Sequence, residues 1–247
     1  MSDLDFRPVN TPQEIKRFIQ FGIEVYRDNP YFRDSMSDIV SMFVHKRSSY
    51  LSHGEVYPFT IEQEGQILVR AAFVIDRKQV DMLMIAFFEA KPNAQAAVDL
   101  MLAKAKEHAA NQGLRRIVVG LDAHLNYGVG FLASHHGVDP CFGFGFTPEY
   151  YLDYFRGLKE HRFTSFQVDI EQFNLAREQK VLTRIKRNGY SFRFADFKQL
   201  DREIELYTQL NNACFQNHLW WADRTFSEDK ELLYPFRWFI NGENLII

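Results

Sequence analysis

Two cysteines, Cys141 and Cys214, are all the thiols in 247 residues. They build no disulfide framework and suit a reducing compartment. Long apolar runs are scarce as well. The longest, Met82 to Phe88, falls far short of the roughly 20 residues that a membrane-spanning helix needs. Positive charge is not in excess: the formal net charge is -3, which gives no electrostatic reason to bind nucleic acid or an anionic membrane. The amino terminus, Met1-Ser2-Asp3-Leu4-Asp5, is polar and acidic, unlike a signal peptide. Together these shortages predict a cytoplasmic protein with neither nucleic acid nor membrane as partner. What is present is apolar: 46% of residues, against 25% charged, as in a globular chain. The 24 Phe imply thick cores or an aromatic-lined cavity. The length allows one large domain or one and a half ordinary ones.

The stretch from Gln79 to Leu121 organises the rest. Val80 to Phe88 is apolar on both alternating faces, as suits a central strand covered on both sides. Lys91-Pro92-Asn93 stops the strand and offers a helix cap. From Ala94 to Asn111 the apolar residues Val98, Met101, Leu102, Ala105 and Ala109 form one helical stripe, and Gly113 ends it. Arg115 to Leu121 reads as a second, β-branched strand. The separation is too long for a hairpin, so a crossover to a parallel neighbour is expected. A ligand would then sit at the carboxyl ends of these strands, near the start of the helix.

Leu4 to Val9 predicts a strand at an edge, because Pro8 cannot donate to a ladder. Thr11-Pro12-Gln13-Glu14 is a helix start with a capping box. Its helix carries Ile15, Phe18, Ile19, Gly22 and Tyr26 on one side until Asp28-Asn29-Pro30. A second helix is expected from about Ser35, with Met36, Ile39, Val40, Phe43 and Val44 as its stripe. Tyr57, Phe59 and Ile61 alternate toward the turn Glu64-Gly65-Gln66. Ile67 to Ile75 is the next strand, which completes a meander into the central one. His124 to Phe146 is a long loop rich in glycine and aromatics. Thr147-Pro148 starts a helix bearing Tyr151, Tyr154, Phe155 and Leu158. Thr164, Phe166, Val168 and Ile170 alternate as a strand, and Asn174 to Arg187 reads as a helix closed by Asn188-Gly189.

Phe192-Arg193-Phe194 and the following helix, with Ile204, Tyr207, Leu210 and Cys214, echo Phe6-Arg7 and the helix after it. A strand is expected at Asn244-Leu245-Ile246-Ile247. The expected organisation is one domain over 1-189 and the opening of a second, incomplete copy over 190-247. A local cap on the first domain is the other reading.

The order strand, two helices, three-strand meander, helix, strand, helix, strand resembles the GNAT superfamily of acyl-CoA-dependent N-acyltransferases over Leu4 to Glu171. More narrowly it resembles uncharacterised bacterial tandem GNAT-like proteins. The cues are Phe18, Tyr26-Arg27-Asp28-Asn29-Pro30-Tyr31, Ala86-Phe87-Phe88-Glu89, Gly113-Leu114, the loop holding Asn126, and Pro148-Glu149-Tyr150-Tyr151. The resemblance implies an α/β (α+β) fold: a mixed, mostly antiparallel central sheet flanked by helices. It implies acetyl-CoA or another acyl-CoA as cofactor, a small-molecule or peptide amine as acceptor, and a homodimer. In that family the loop before the helix reads Arg or Gln, two residues, Gly, any residue, then Gly or Ala. Bare backbone there lets the helix amides approach pyrophosphate. The matching window here is Asn93-Ala94-Gln95-Ala96-Ala97-Val98. Ala96 and Val98 stand where glycines would be, and Asn93 replaces the cationic or amide residue. Asn93, Gln95, Ala96, Ala97 and Val98, with Phe88, are the implied cofactor-binding residues.

By the same resemblance Glu89 is the implied general base, taking a proton from the substrate ammonium, and Tyr154 the acid for the departing thiolate. Their plain readings are a solvent-exposed strand end and a core residue. Asp122 and His124 follow the second strand and would face the same cleft. His135-His136 with Asp139 and Cys141 lacks a recognisable ligand spacing, so no metal is expected and the stretch reads as a polar loop. Gly143-Phe144-Gly145-Phe146 reads as an aromatic segment packing on the sheet. Trp220, Trp221 and Trp238 read as core.

Overall fold

The structure is a computed structural model that describes residues 3–34, 36–140, 145–166, 169 and 175–244. It divides into two compact units. One comprises Met1–Leu158 with Asn212–Asp223, the other Lys159–Asn211 with Arg224–Ile247. The chain leaves the first unit after Leu158 and re-enters it after Asn211.

The first unit is built on a sheet ordered β1 (Asp5–Pro8), β2 (Gly54–Gln63), β3 (Gln66–Asp76), β4 (Met82–Ala90) and β5 (Arg116–Val119). All neighbours are antiparallel except β4 and β5, which are parallel from Met82↔Arg116 to Ile85↔Val119. β1 lies at the edge, where Pro8 costs no ladder bond. The β2–β3 turn is tight because Glu64 and Gly65 both adopt positive φ, 51° and 78°, which matches the twist of a two-residue hairpin. β4 starts later than the apolar run suggests. Asp81 turns to φ 75° and is clamped by Arg115 Nε at 3.0 and 2.9 Å, so Gln79 and Val80 belong to the turn.

Helix α1 (Pro12–Val25) starts with the Thr11/Glu14 capping box expected of its sequence. With α2 (Ser37–Val44) it covers one face of the sheet, burying Phe18, Phe21, Val40, Phe43 and Val44. The expected start of α2 at Ser35 lies outside the described residues. Helix α3 (Gln95–Asn111) covers the other face. Val98, Met101, Ala105 and Ala109 pack there on Phe59, Val69, Phe73, Leu83 and Ile85. Ala94 is the residue before α3 and makes no side-chain cap. Asn93, expected to cap, instead takes φ 61°. Asn tolerates that left-handed backbone. The helix expected after Pro148 is a single turn, α4 (Tyr151–Tyr154).

The second unit contains α5 (Leu175–Arg187), most of α6 (Leu200–Phe215) and α7 (Phe226–Leu233). The expected α6 stripe holds only in part: Ile204 is buried, but beside it the buried residues are Glu203 and Thr208, whereas Leu210 and Cys214 are exposed. Polar pairing explains it. Glu203 binds Arg193 at 2.7 and 3.0 Å, and Thr208 donates to Asp229 at 2.8 Å, which also holds Arg224. Trp238, expected in a core, is 75% exposed. Thr164 and Phe166 lie in no strand; Val168, Ile170, Asn174 and the Leu245–Ile247 end fall outside the described residues. No helix among the described residues is long and apolar enough to cross a membrane.

Candidate functional site

β4 outruns its parallel neighbour. Pairing with β5 stops at Ile85↔Val119, Gly120 N–H makes one further bond to Ile85 C=O at 3.1 Å, and β4 continues to Ala90. Among the described residues β4 and β5 share no ladder pair past that point. A bulge lies within this part of β4. Ala72 pairs with Ala86 and Arg70 with Glu89, so Phe87 and Phe88 together face Ala71. Phe87 takes φ 55° there, and its N–H donates to Asp122 Oδ1 at 2.6 Å.

The bulge decides which face of the sheet each later β4 residue meets. Phe88 packs in the α3 core, edge-on to Tyr151 at 5.0 Å and Phe155 at 5.1 Å. Glu89 faces the α1 side. It is no solvent-exposed strand end, since only 16% of its side chain is accessible. Tyr26, the residue that ends α1, donates to Glu89 Oε2 at 2.7 Å and Tyr151 of α4 at 2.6 Å; Arg70 Nη2 of β3 lies 3.9 Å from Oε1. Burial disfavours the charged form and pushes the carboxyl up to about 7, although Arg70 and the two hydroxyls act the other way. Tyr26 and Tyr151 are pushed up, first by burial and next by the Glu89 charge. Asp122 is also raised by burial.

Arg70 is itself buried. It donates to the carbonyls of Phe18 and Ile19 at 2.7 and 3.2 Å and lies over the Phe18 ring. Gly22 makes this possible: a Cβ there would fall 2.3 Å from Arg70 Nη2. Sequence alone does not single out Tyr26, Arg70 and Tyr151 as site residues. The one available signal is a lone arginine within the apolar run Ile67 to Ile75.

The remainder of the β4 edge is met by α4. Ala90 N–H donates to Tyr151 Oη at 2.9 Å, and Tyr150 Oη donates to Ala90 C=O at 2.8 Å. Tyr154 Oη donates to Lys91 C=O and accepts from Ala94 N–H at 3.0 Å. Tyr154 is thus a core residue, as its plain reading has it, and also a backbone anchor. In the first turn of α3, the Ala97 and Val98 amides both return to Ala94 C=O at 3.0 Å. Ala97 and Val98 are buried side chains; Asn93, Gln95 and Ala96 are exposed, and Gln95 bonds Asp99 at 2.9 Å.

An acyl-CoA placed in this slot would need strand amides for its pantetheine chain and bare helix amides for its phosphates. The Ala90 N–H and C=O and the Ala94 N–H are held by tyrosine hydroxyls, and Val98 sits in the core where a glycine would give access. In this arrangement the residues present do not fit the group.

Asp122 reaches the site and His124 does not. His124 bonds the carbonyl of Ala222 at 3.0 Å and packs on Trp221 at 4.8 Å. His135 pairs with Ser134, His136 with the Leu132 carbonyl and Asp139 with Arg33. Among the described residues no three His, Cys, Asp or Glu cluster as a metal site. Cys141, Gly143 and Phe144 lie outside them, while Phe146 packs against Tyr26.

No family model and no curated protein matches the chain. Solved structures similar to it are GNAT acetyltransferases. The aminoglycoside N-acetyltransferase AAC(6')-Iy in complex with CoA aligns at 12% identity over 69% of this chain and 97% of its own, with a TM-score of 0.42. A predicted acetyltransferase with acetyl-CoA from Clostridium acetobutylicum aligns at 13% identity over 69% and 99%, TM-score 0.39. A tandem GNAT protein from the clavulanic acid biosynthesis pathway aligns at 11% over 47% of this chain and 36% of its own, TM-score 0.40.

Proposed function

We propose that the chain is a GNAT-shaped module that binds or scaffolds and no longer transfers acyl groups, acting beside a second copy of the fold for which residues from about 190 onward supply the opening. The start of α3 carries this reading. Val98 is wholly buried, Ala94 N–H is capped by Tyr154, and the Ala97 and Val98 amides return to Ala94 C=O, so three amides at the helix start already have partners within the chain. The helix macrodipole alone is a weak attraction for an exposed anion, worth about 0.3–1 kcal/mol. Calorimetric titration with acetyl-CoA and longer acyl-CoAs tests the reading. No saturable heat is expected; micromolar binding of any of them refutes it.

A second reading is an N-acyltransferase moving an acyl group from acyl-CoA to a small-molecule or peptide amine. Glu89 favours it. A partly enclosed carboxyl whose pKa is raised to about 7 is matched to accepting a proton from an ammonium near neutral pH. The same titration separates the two, because this reading requires binding.

A further inference from the structure

Among the described residues no strand lies beside the outer edge of β4 beyond Ile85. An edge of this kind recruits an extended amide chain, which exchanges N–H and C=O bonds with it. Three phenols, Tyr150 and two of α4, perform that exchange at Ala90, the last residue of β4, and at Lys91 and Ala94 just past it. Each hydroxyl can donate and accept, and the set alternates as an amide chain would. Tyr151 accepts from Ala90 N–H, Tyr150 donates to Ala90 C=O, and Tyr154 serves both Lys91 C=O and Ala94 N–H. The rings fill the space as well as the bonds. Tyr151 is fully buried and Tyr154 is 7% exposed, with Phe131 and Phe155 stacked at 5.2 Å alongside. A second tie fixes Tyr151 from the opposite face of the sheet, through Glu89 at 2.6 Å.

We propose that α4 is the resident occupant of the slot and that Tyr151 is the residue that excludes an acyl-pantetheine chain from it. The inference rests on the proposed loss of acyl transfer and locates one physical cause of it. Enclosure of the α3 amides would act against phosphates only. The Tyr151 ring acts against the amide arm, whatever that arm is attached to. Truncating a buried ring leaves an apolar cavity that stays open to a ligand of matching shape, here edged by the Ala90 N–H that Tyr151 releases.

The test uses the full chain with Tyr151→Ala and Tyr154→Ala combined, and two probes: pantetheine, which lacks the nucleotide phosphates, and acetyl-CoA. The wild type is expected to bind neither. The folded double variant is expected to bind pantetheine saturably, and acetyl-CoA no more tightly. A folded variant that takes neither probe overturns the proposal and leaves the loss of transfer standing. A wild type that takes acetyl-CoA overturns the reading beneath it. Should the double variant not fold, Tyr151→Phe keeps the ring and removes the hydroxyl. Amide hydrogen exchange at Ala90 should then run about fivefold faster, the loss of one hydrogen bond; unchanged exchange overturns the proposal.

Discussion

One edge of β4 is closed in two ways. From Met82 to Ile85 its neighbour is the backbone of β5; at Ala90, and at Lys91 just past the strand, it is the phenol groups of Tyr150, Tyr151 and Tyr154. A backbone ladder is indifferent to the identity of its residues, since every residue but proline offers the same N–H and C=O. The phenol closure depends on particular positions being tyrosine. The two halves should therefore respond differently to mutation, although they belong to one strand.

The sharpest contrast comes from Tyr151→Ala. Loss of a buried aromatic ring is expected to cost about 3–5 kcal/mol, read as a lower urea midpoint with unchanged slope. A cost under about 1 kcal/mol would mean that the phenol half is not a packed closure. Next in size is the pH dependence through Glu89. Its pKa in the folded state is raised from the ordinary 4.5 to about 7, so the native protein holds this proton more tightly than the unfolded chain does. Stability from this group is full below pH 4.5 and declines as pH rises to 7, by at most about 3 kcal/mol. Glu89→Gln should flatten that decline in urea midpoints measured from pH 4 to pH 8; a wild-type profile already flat there removes the buried-carboxyl account. The smallest effect is expected on the ladder side. Val119→Ala, half-buried in β5, should cost about 1 kcal/mol; a cost matching that of Tyr151→Ala would erase the contrast.

The strand–helix–strand unit is legible in the sequence because its signals are local: an apolar run, one helical stripe, a glycine stop and a second β-branched run. The capping box at Thr11 and the turn at Glu64-Gly65 are legible for the same reason. The site is only half legible. Glu89 can be placed at the strand end, yet its enclosure comes from Tyr26 and Tyr151, 63 and 62 residues away in the chain. Tyr150, Tyr151 and Tyr154 carry a helical spacing, which reports which side of a helix a ring occupies and says nothing of what its hydroxyl meets. Arg70 is visible as an oddity in an apolar strand, but its acceptors are carbonyls of α1, reached only because Gly22 has no side chain. In α6 the apolar periodicity misleads, because buried ion pairs choose the inward face.

The extra residue at Phe87–Phe88 has a consequence for inheritance by insertion and deletion. Strand residues alternate sides, so a count of one decides which half of the molecule each later residue enters. Losing one of the two phenylalanines would give β4 an unbroken ladder and leave Glu89 still opposite Arg70. Pairing both of them in a regular ladder would instead carry the Glu89 carboxylate into the apolar α3 layer, so the extra residue is tolerated only because the backbone bulges at Phe87.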